Sequence, residues 1–197
     1  MILEKENIPQ RFKIDVHIED IPEMLKLCYQ HEVKKRGMNY NSNIDPYFER
    51  ISRWLCEGGK VGLFMYGGVG SGKTTMMLAI KRLLEMLYIH KIGVGLISAL
   101  ELSDLARNDE RKFETTKKTK FLAVDDFGCE PSTVKNYGNE VSPLTELLYY
   151  RYDNLLFTLI TSNLDRRDIY FKYGERISSR MDEIFDFMAF TNKSYRQ

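Results

Sequence analysis

Charge of one sign is what this sequence most plainly lacks. Its 197 residues carry 29 Lys and Arg against 28 Asp and Glu, a net charge of +1. That balance argues against a protein that holds nucleic acid by bulk electrostatics alone, and leaves room for a local basic patch. Cysteine is scarce. Cys28, Cys56 and Cys129 lie far apart with no CxxC pair, so neither a zinc site nor a disulfide framework is supported, and thiols in a reducing compartment are the plain reading. No stretch approaches the ~20 apolar residues of a membrane span. The opening residues, MILEKENIPQRFK, place charges where a secretion signal needs its apolar run. These absences predict a soluble, cytoplasmic protein with no membrane association. There is no internal repeat and no low-complexity tract. Hydrophobic residues at 43% and charged residues at 29% exclude wholesale disorder. The length fits one domain with an ordinary core.

The pattern that is present alternates. Ile21-Pro22 opens a helix running to about Arg36, which Gly37 breaks. Asn41-Ser42-Asn43 with Asp45-Pro46 reads as a turn or linker. Residues 1–45 are therefore treated as a short N-terminal segment, a candidate for partner docking, and 46–197 as the core. A helix follows from Pro46 to Leu55. Val61–Tyr66 is a short apolar strand. Lys73–His90 carries apolar residues at the three-four spacing of a helix packed on a sheet. Gly93–Ser98, Phe121–Val124, Leu155–Thr161 and Phe185–Phe190 supply four further strands. Helices are expected at Ala99–Arg107, Val141–Tyr152 and Glu175–Glu183. Strands that read as solid apolar runs between helices predict an α/β fold with a central parallel five-stranded sheet, buried on both faces.

The sharpest feature is Gly67-Gly68-Val69-Gly70-Ser71-Gly72-Lys73-Thr74, a full match to the phosphate-loop pattern of a P-loop NTPase. An apolar strand enters it and an amphipathic helix leaves it. Glycines let the backbone wrap close to a polyphosphate and aim its N–H groups inward, and the helix N-terminus adds partial positive charge. Lys73 is suited to the β- and γ-phosphates of ATP, and the Thr74 hydroxyl to one position on Mg²⁺. The candidate nucleotide-binding stretch extends to Thr75. A second half-site needs an acidic residue ending another apolar strand, and Phe121-Leu122-Ala123-Val124-Asp125-Asp126 supplies it. Asp125 is placed to hold Mg²⁺ through water, beside Thr74. Asp126 is placed to polarise an attacking water. Its short side chain predicts slow hydrolysis.

At this point the chain resembles the bacterial helicase-loader ATPases of the DnaC type and the related IstB-type transposition ATPases, within the AAA+ class. The resemblance runs from about Ile51 to Gln197. It rests on the phosphate loop, on Val124-Asp125-Asp126-Phe127-Gly128, on Leu147-Leu148-Tyr149-Tyr150-Arg151-Tyr152, on Ile160-Thr161-Ser162-Asn163-Leu164, on Gly174-Glu175-Arg176-Ile177-Ser178-Ser179-Arg180-Met181, and on Ser194-Tyr195-Arg196. The resemblance implies roles. Asn163 matches the sensor position that bonds the γ-phosphate or the attacking water; taken alone, it is a polar strand-end turn. Arg180 matches the arginine finger that acts on a neighbouring subunit's nucleotide. Arg176, one helical turn earlier, shares that work or pairs across the subunit contact. For both, a solvated surface charge is the other reading. Arg196 falls where this group carries its second sensor arginine. Arg151 has two readings, a subunit interface and a structural salt bridge. About seven residues follow the fifth strand, so no C-terminal helical lid is expected, as in these relatives.

Arg107–Lys120 holds six basic and three acidic residues. It reads either as a solvated loop or as a surface that tracks single-stranded DNA, with Phe113 stacking on a base. The resemblance implies a homo-oligomeric ring or spiral, with a replicative helicase or a transposase as partner. Two readings of another kind compete with an accessory ATPase of replication or of a mobile element. One is a small-molecule or nucleoside kinase, which shares the loop and the chain length. The other is a nucleotide-dependent assembly switch with negligible turnover.

Overall fold

The computed structural model describes residues 19–57, 59–87, 93–136 and 139–192. Helix α1 (Ile21–Lys35) opens on Pro22 and α2 spans Asp45–Glu57. Strand β1 (Gly62–Gly67) leads through the phosphate loop into α3 (Lys73–Leu87). Strand β2 (Gly95–Ser98) passes to α4 (Ala99–Asn108), which the Ser98 and Glu101 side chains cap reciprocally. Helix α5 (Glu110–Lys117), strand β3 (Phe121–Phe127) and a hairpin of β4 (Val134–Asn136) and β5 (Asn139–Val141) follow. Then come α6 (Pro143–Asp153), β6 (Phe157–Ser162), α7 (Arg166–Tyr173), α8 (Glu175–Ile184) and β7 (Phe185–Phe190).

Five strands form one parallel sheet in the order β2-β3-β6-β1-β7. The period-two alternation of a strand divides its side chains between two faces. Leu63 and Met65 of β1 join α1, α2 and α3 on one side; Phe64, between them, joins α4, α6 and α8 on the other. The result is three layers with a core on each side of the sheet. Central strands covered on both faces account for the uninterrupted burial of β6.

Helix α1 is part of this core. Ile21 and Leu25 are fully buried, and Cys28, Tyr29 and Val33 pack with them against α3. The turn at Asn41 is a 3-10 turn over Ser42–Ile44, with the Asn41 side chain accepting from the Asn43 N–H at 3.0 Å.

Three expectations are corrected. Arg107–Lys120 is not a loop: the Asp109 carboxylate accepts from the Lys112 N–H at 3.0 Å and caps α5. Phe113 is 4% exposed, packed in the core beside α4 and α6, so its ring is not available to stack on a base. Lys117 is also buried, ion-paired to Glu114 and to Glu146 at 2.5 Å.

Arg151 is not a surface group, and among the described residues it is not half of a salt bridge. It is fully buried, with its donors on oxygens of two segments. Nε donates to Thr158 Oγ1 at 2.7 Å, Nη1 to the Lys117 and Thr119 carbonyls at 3.1 and 2.8 Å, and Nη2 to the Phe157 carbonyl at 2.6 Å. Burial lowers its pKa to about 9, which keeps it charged near neutral pH. It ties the end of α6 to the starts of β3 and β6.

Candidate functional site

The site lies where the carboxyl ends of β1, β3 and β6 meet the start of α3, as open parallel sheets dictate. Gly67 ends β1 with φ 146°, and a Cβ there would stand 2.1 Å from the Phe190 carbonyl of β7. Only glycine fits so close an approach. Gly70 and Gly72 also take positive φ, at 79° and 98°, and turn the loop back into the first turn of α3.

Lys73 is buried at the loop's centre. Its amine donates to the Gly67 and Gly68 carbonyls at 2.7 and 2.8 Å and to Asn163 Oδ1 at 3.1 Å. Thr74 Oγ1 donates to Asp125 Oδ1 at 3.0 Å. The same carboxylate oxygen accepts from Thr161 Oγ1, which also receives the Asp126 N–H at 3.1 Å. Thr161 thus fixes both acidic residues. Nothing local in the sequence distinguishes it from the other polar residues of β6.

Strand β3 runs three residues past Val124, with a bulge between Val124 and Phe127. Asp126 takes the extra position with φ 54°, a left-handed conformation that Asp tolerates better than most residues. The bulge turns its carboxylate out of the sheet to line the cleft with the phosphate loop. Behind it, Glu130 is buried, accepts from the Gly128 N–H at 2.8 Å and bonds Tyr173, while Lys172 donates to the Gly128 and Glu130 carbonyls at 2.5 and 2.8 Å. Burial, then Glu130, pushes the Tyr173 phenol well above its usual range. Burial, then Asp126 and Glu130, pushes up the Cys129 thiol at the cleft rim, which disfavours the reactive thiolate.

The other wall comes from α1 and the turn after it: Tyr29, Val33, Arg36, Met38, Asn39 and Asn41. Arg36 Nη1 donates to Thr75 Oγ1 at 3.1 Å. Sequence reasoning missed this wall, because no motif links a helix end to a loop more than thirty residues on.

The cleft thus brings Lys73, Thr74, Thr75, Asp126 and Asn163 together, with Asp125 bonded to Thr74. Arg180 and Arg176 are not among its lining residues. They sit on α8, where the Arg180 guanidinium lies 4.3 and 4.9 Å from the Tyr149 and Tyr152 ring centroids, and Arg176 lies 5.8 Å from Tyr149. Tyr152 in turn donates to Glu183 at 2.5 Å. Arg196 lies outside the described residues.

The donor set fits a magnesium nucleotide. A hydroxyl and a carboxylate 3.0 Å apart suit a small hard cation that keeps most of its waters and takes few protein ligands. No cluster of three or more His, Cys, Asp or Glu occurs among the described residues, so a cage for another metal is not indicated there. No described helix is long and apolar enough to cross a membrane.

Sheet order, phosphate loop and the acidic end of β3 together give the chain a P-loop α/β fold. Solved structures give that fold its particular likenesses. DnaI aligns with a TM-score of 0.61 at 23% identity, covering 80% of this chain and 86% of that one. The DnaC helicase loader aligns at 0.59 and 20%, covering 77% and 92%. DnaA from Aquifex aeolicus, solved with AMPPCP bound, aligns at 0.54 and 18%, covering 78% of this chain and 49% of that one. No protein-family model matches the chain, and no curated protein matches it by sequence.

Proposed function

We infer that this chain is an ATP-binding and ATP-hydrolysing accessory ATPase of DNA replication, acting on a replicative helicase as a loader does. The observation that carries the ATPase half is the joint placement of Lys73 on Asn163 at 3.1 Å and Thr74 on Asp125 at 3.0 Å. The replication half rests on likeness of fold to DnaI and DnaC, which is analogy. An IstB-type transposition role would use the same core.

Lys73 would set its charge against the β- and γ-phosphates. Thr74 and Asp125 would hold Mg²⁺, which neutralises phosphate charge when bound. Asp126 would accept the proton of a water as its oxygen bonds to the γ-phosphorus and the bond to the ADP oxygen breaks. Asn163 would orient that water or the γ-phosphate. On the opposite wall, the apolar bodies of Tyr29, Val33 and Met38 and the amides of Asn39 and Asn41 suit a purine base. Arg180, with Arg176, would complete the site of a neighbouring subunit in a ring or spiral. The exposed cations Arg107, Arg111 and Lys120 remain available to a DNA backbone.

The test is single-turnover ATP hydrolysis by the full chain, alone and with single-stranded DNA and the replicative helicase of the source cell. Stimulation by the helicase is expected. Mixing Arg180→Ala with Lys73→Ala subunits should restore part of the activity, because one mixed interface pairs an intact loop with an intact finger. No rescue at any ratio sinks the shared site. Stoichiometric phosphoryl transfer to a nucleoside in place of water would make the chain a kinase, and binding without turnover would make it a switch.

A further inference from the structure

Arg36 sits at the C-terminal cap of α1, where the chain turns sharply. The Arg36 and Met38 N–H groups donate to the Val33 carbonyl, each at 3.1 Å, and Gly37 takes φ 67°. The helix beneath is anchored in the core by Leu25, Cys28, Tyr29 and Val33. The guanidinium is therefore carried on a rigid element, and it reaches Thr75 Oγ1 at 3.1 Å across 39 residues of sequence. That places a permanent cation at the N-terminal end of α3, which already bears partial positive charge, and in the cleft that Lys73 also lines. Among the described residues no carboxylate lies within ion-pair distance of Arg36. A fork of donors converging with a lysine and a helix N-terminus is a site arranged for an anion.

We propose that Arg36 is a nucleotide-binding residue supplied in cis by the N-terminal helix, and that it grips the α-phosphate. This rests on the ATPase reading of the cleft. The position along the phosphate chain follows from its neighbours. Thr74, bonded to Asp125, and Lys73, bonded to Asn163, mark the β- and γ-phosphate end. Thr75 lies one residue further into α3. Tyr29, Val33 and Met38, from the same segment as Arg36, form the apolar wall suited to the base. Arg36 falls between base and β-phosphate, so it distinguishes a nucleotide from inorganic polyphosphate while treating ATP and ADP alike. Its bidentate fork takes over from Thr75 one contact and adds a second.

Titration calorimetry with ATP and ADP on the full chain tests this. Arg36→Gln should weaken both by the same factor, about tenfold for loss of one charge-assisted contact. Arg36→Lys should recover part of the loss, since it keeps the charge without the fork. Arg36 is exposed, so the melting temperature without ligand should be unchanged in both variants. Lys73→Ala is the control for the cleft. If Lys73→Ala loses nucleotide while Arg36→Gln binds ADP like the parent, Arg36 has no such role and the ATPase reading stands. A loss confined to ATP would move the contact to the γ-phosphate and overturn the assignment. If the parent binds neither nucleotide, the ATPase reading falls and this inference with it.

Discussion

Replacing Arg151 by Met separates a structural arginine from an interface one. Met roughly matches the stem in volume and supplies no donor. The substitution strands the Lys117, Thr119 and Phe157 carbonyls, while the Thr158 hydroxyl keeps its own bond to the Leu156 carbonyl at 2.8 Å. A buried acceptor left without its partner costs about 1–3 kcal/mol. Against three such losses stands the relief of no longer burying a guanidinium, which costs several kcal/mol on its own. The three losses together come to about 3–9 kcal/mol, and offsetting the relief leaves a net destabilisation of about 3 kcal/mol. For a domain of this size each kcal/mol moves the melting temperature by about 2–4 °C, so Arg151→Met should melt roughly 6–12 °C below the parent. Thermal unfolding followed by circular dichroism, without nucleotide and near neutral pH, reads this directly. A fall of less than about 2 °C would refute the reasoning, because it would mean the four contacts carry almost no energy. Unchanged melting with lost self-association would return Arg151 to an interface role.

Two further outcomes follow from the site and from α5. Asp126→Asn should keep ATP binding, since Asn also accepts a left-handed conformation, and should slow single-turnover phosphate release by about 10²-fold or more through loss of the proton acceptor; a rate within threefold of the parent would remove Asp126 from the chemistry. Hydrogen bonds from Lys117 and Lys118 hold the Glu114 carboxyl below its ordinary range, so the stability it adds is present above that range and fades as pH falls through the lowered value. Glu114 is partly exposed, and Glu114→Gln should therefore cost only about 0.5 kcal/mol near neutral pH, in a gap to the parent that closes as pH falls through the lowered value. A gap that stays constant across that range would show that the ion pairs contribute nothing.

How much could be read in advance depended on how far apart in sequence the cooperating groups lie. The phosphate loop is contiguous, and its glycines, Lys73 and Thr74 announce themselves with no knowledge of the fold. Asp125 is legible because an apolar run ends on it. The sheet's strands are legible because burial on both faces leaves solid apolar runs. Helix α5 hid because Phe113 is its only strongly apolar residue and gives no period, although the capping Asp109 was visible. Helix α7 was equally quiet, with Ile169 its one buried residue, yet Asp165 and Asp168 cap it reciprocally. Arg151 could not be understood from its own neighbourhood. A fully buried cation looks improbable until two separate segments deliver four oxygens to it. Arg36 was silent for the same reason, its partner lying on another helix.

The resting place of Arg180 bears on how an assembly of such subunits would respond to nucleotide. Its guanidinium lies against Tyr149 and Tyr152 at a partly exposed site, where a cation–π contact is worth about 0.5–1 kcal/mol per ring. A charge-assisted contact to a phosphate is worth about 1.5–3 kcal/mol. Under the proposed function, the tyrosines hold Arg180 folded onto its own subunit until a neighbour presents a γ-phosphate, and the exchange is then favourable by a margin of about 1 kcal/mol. Without that phosphate the balance reverses, and the subunit contact loses its charged anchor. So small a margin suits reversible assembly: the identity of the bound nucleotide decides whether Arg180 bridges two subunits or returns to its own helix pair, and neither state becomes a trap.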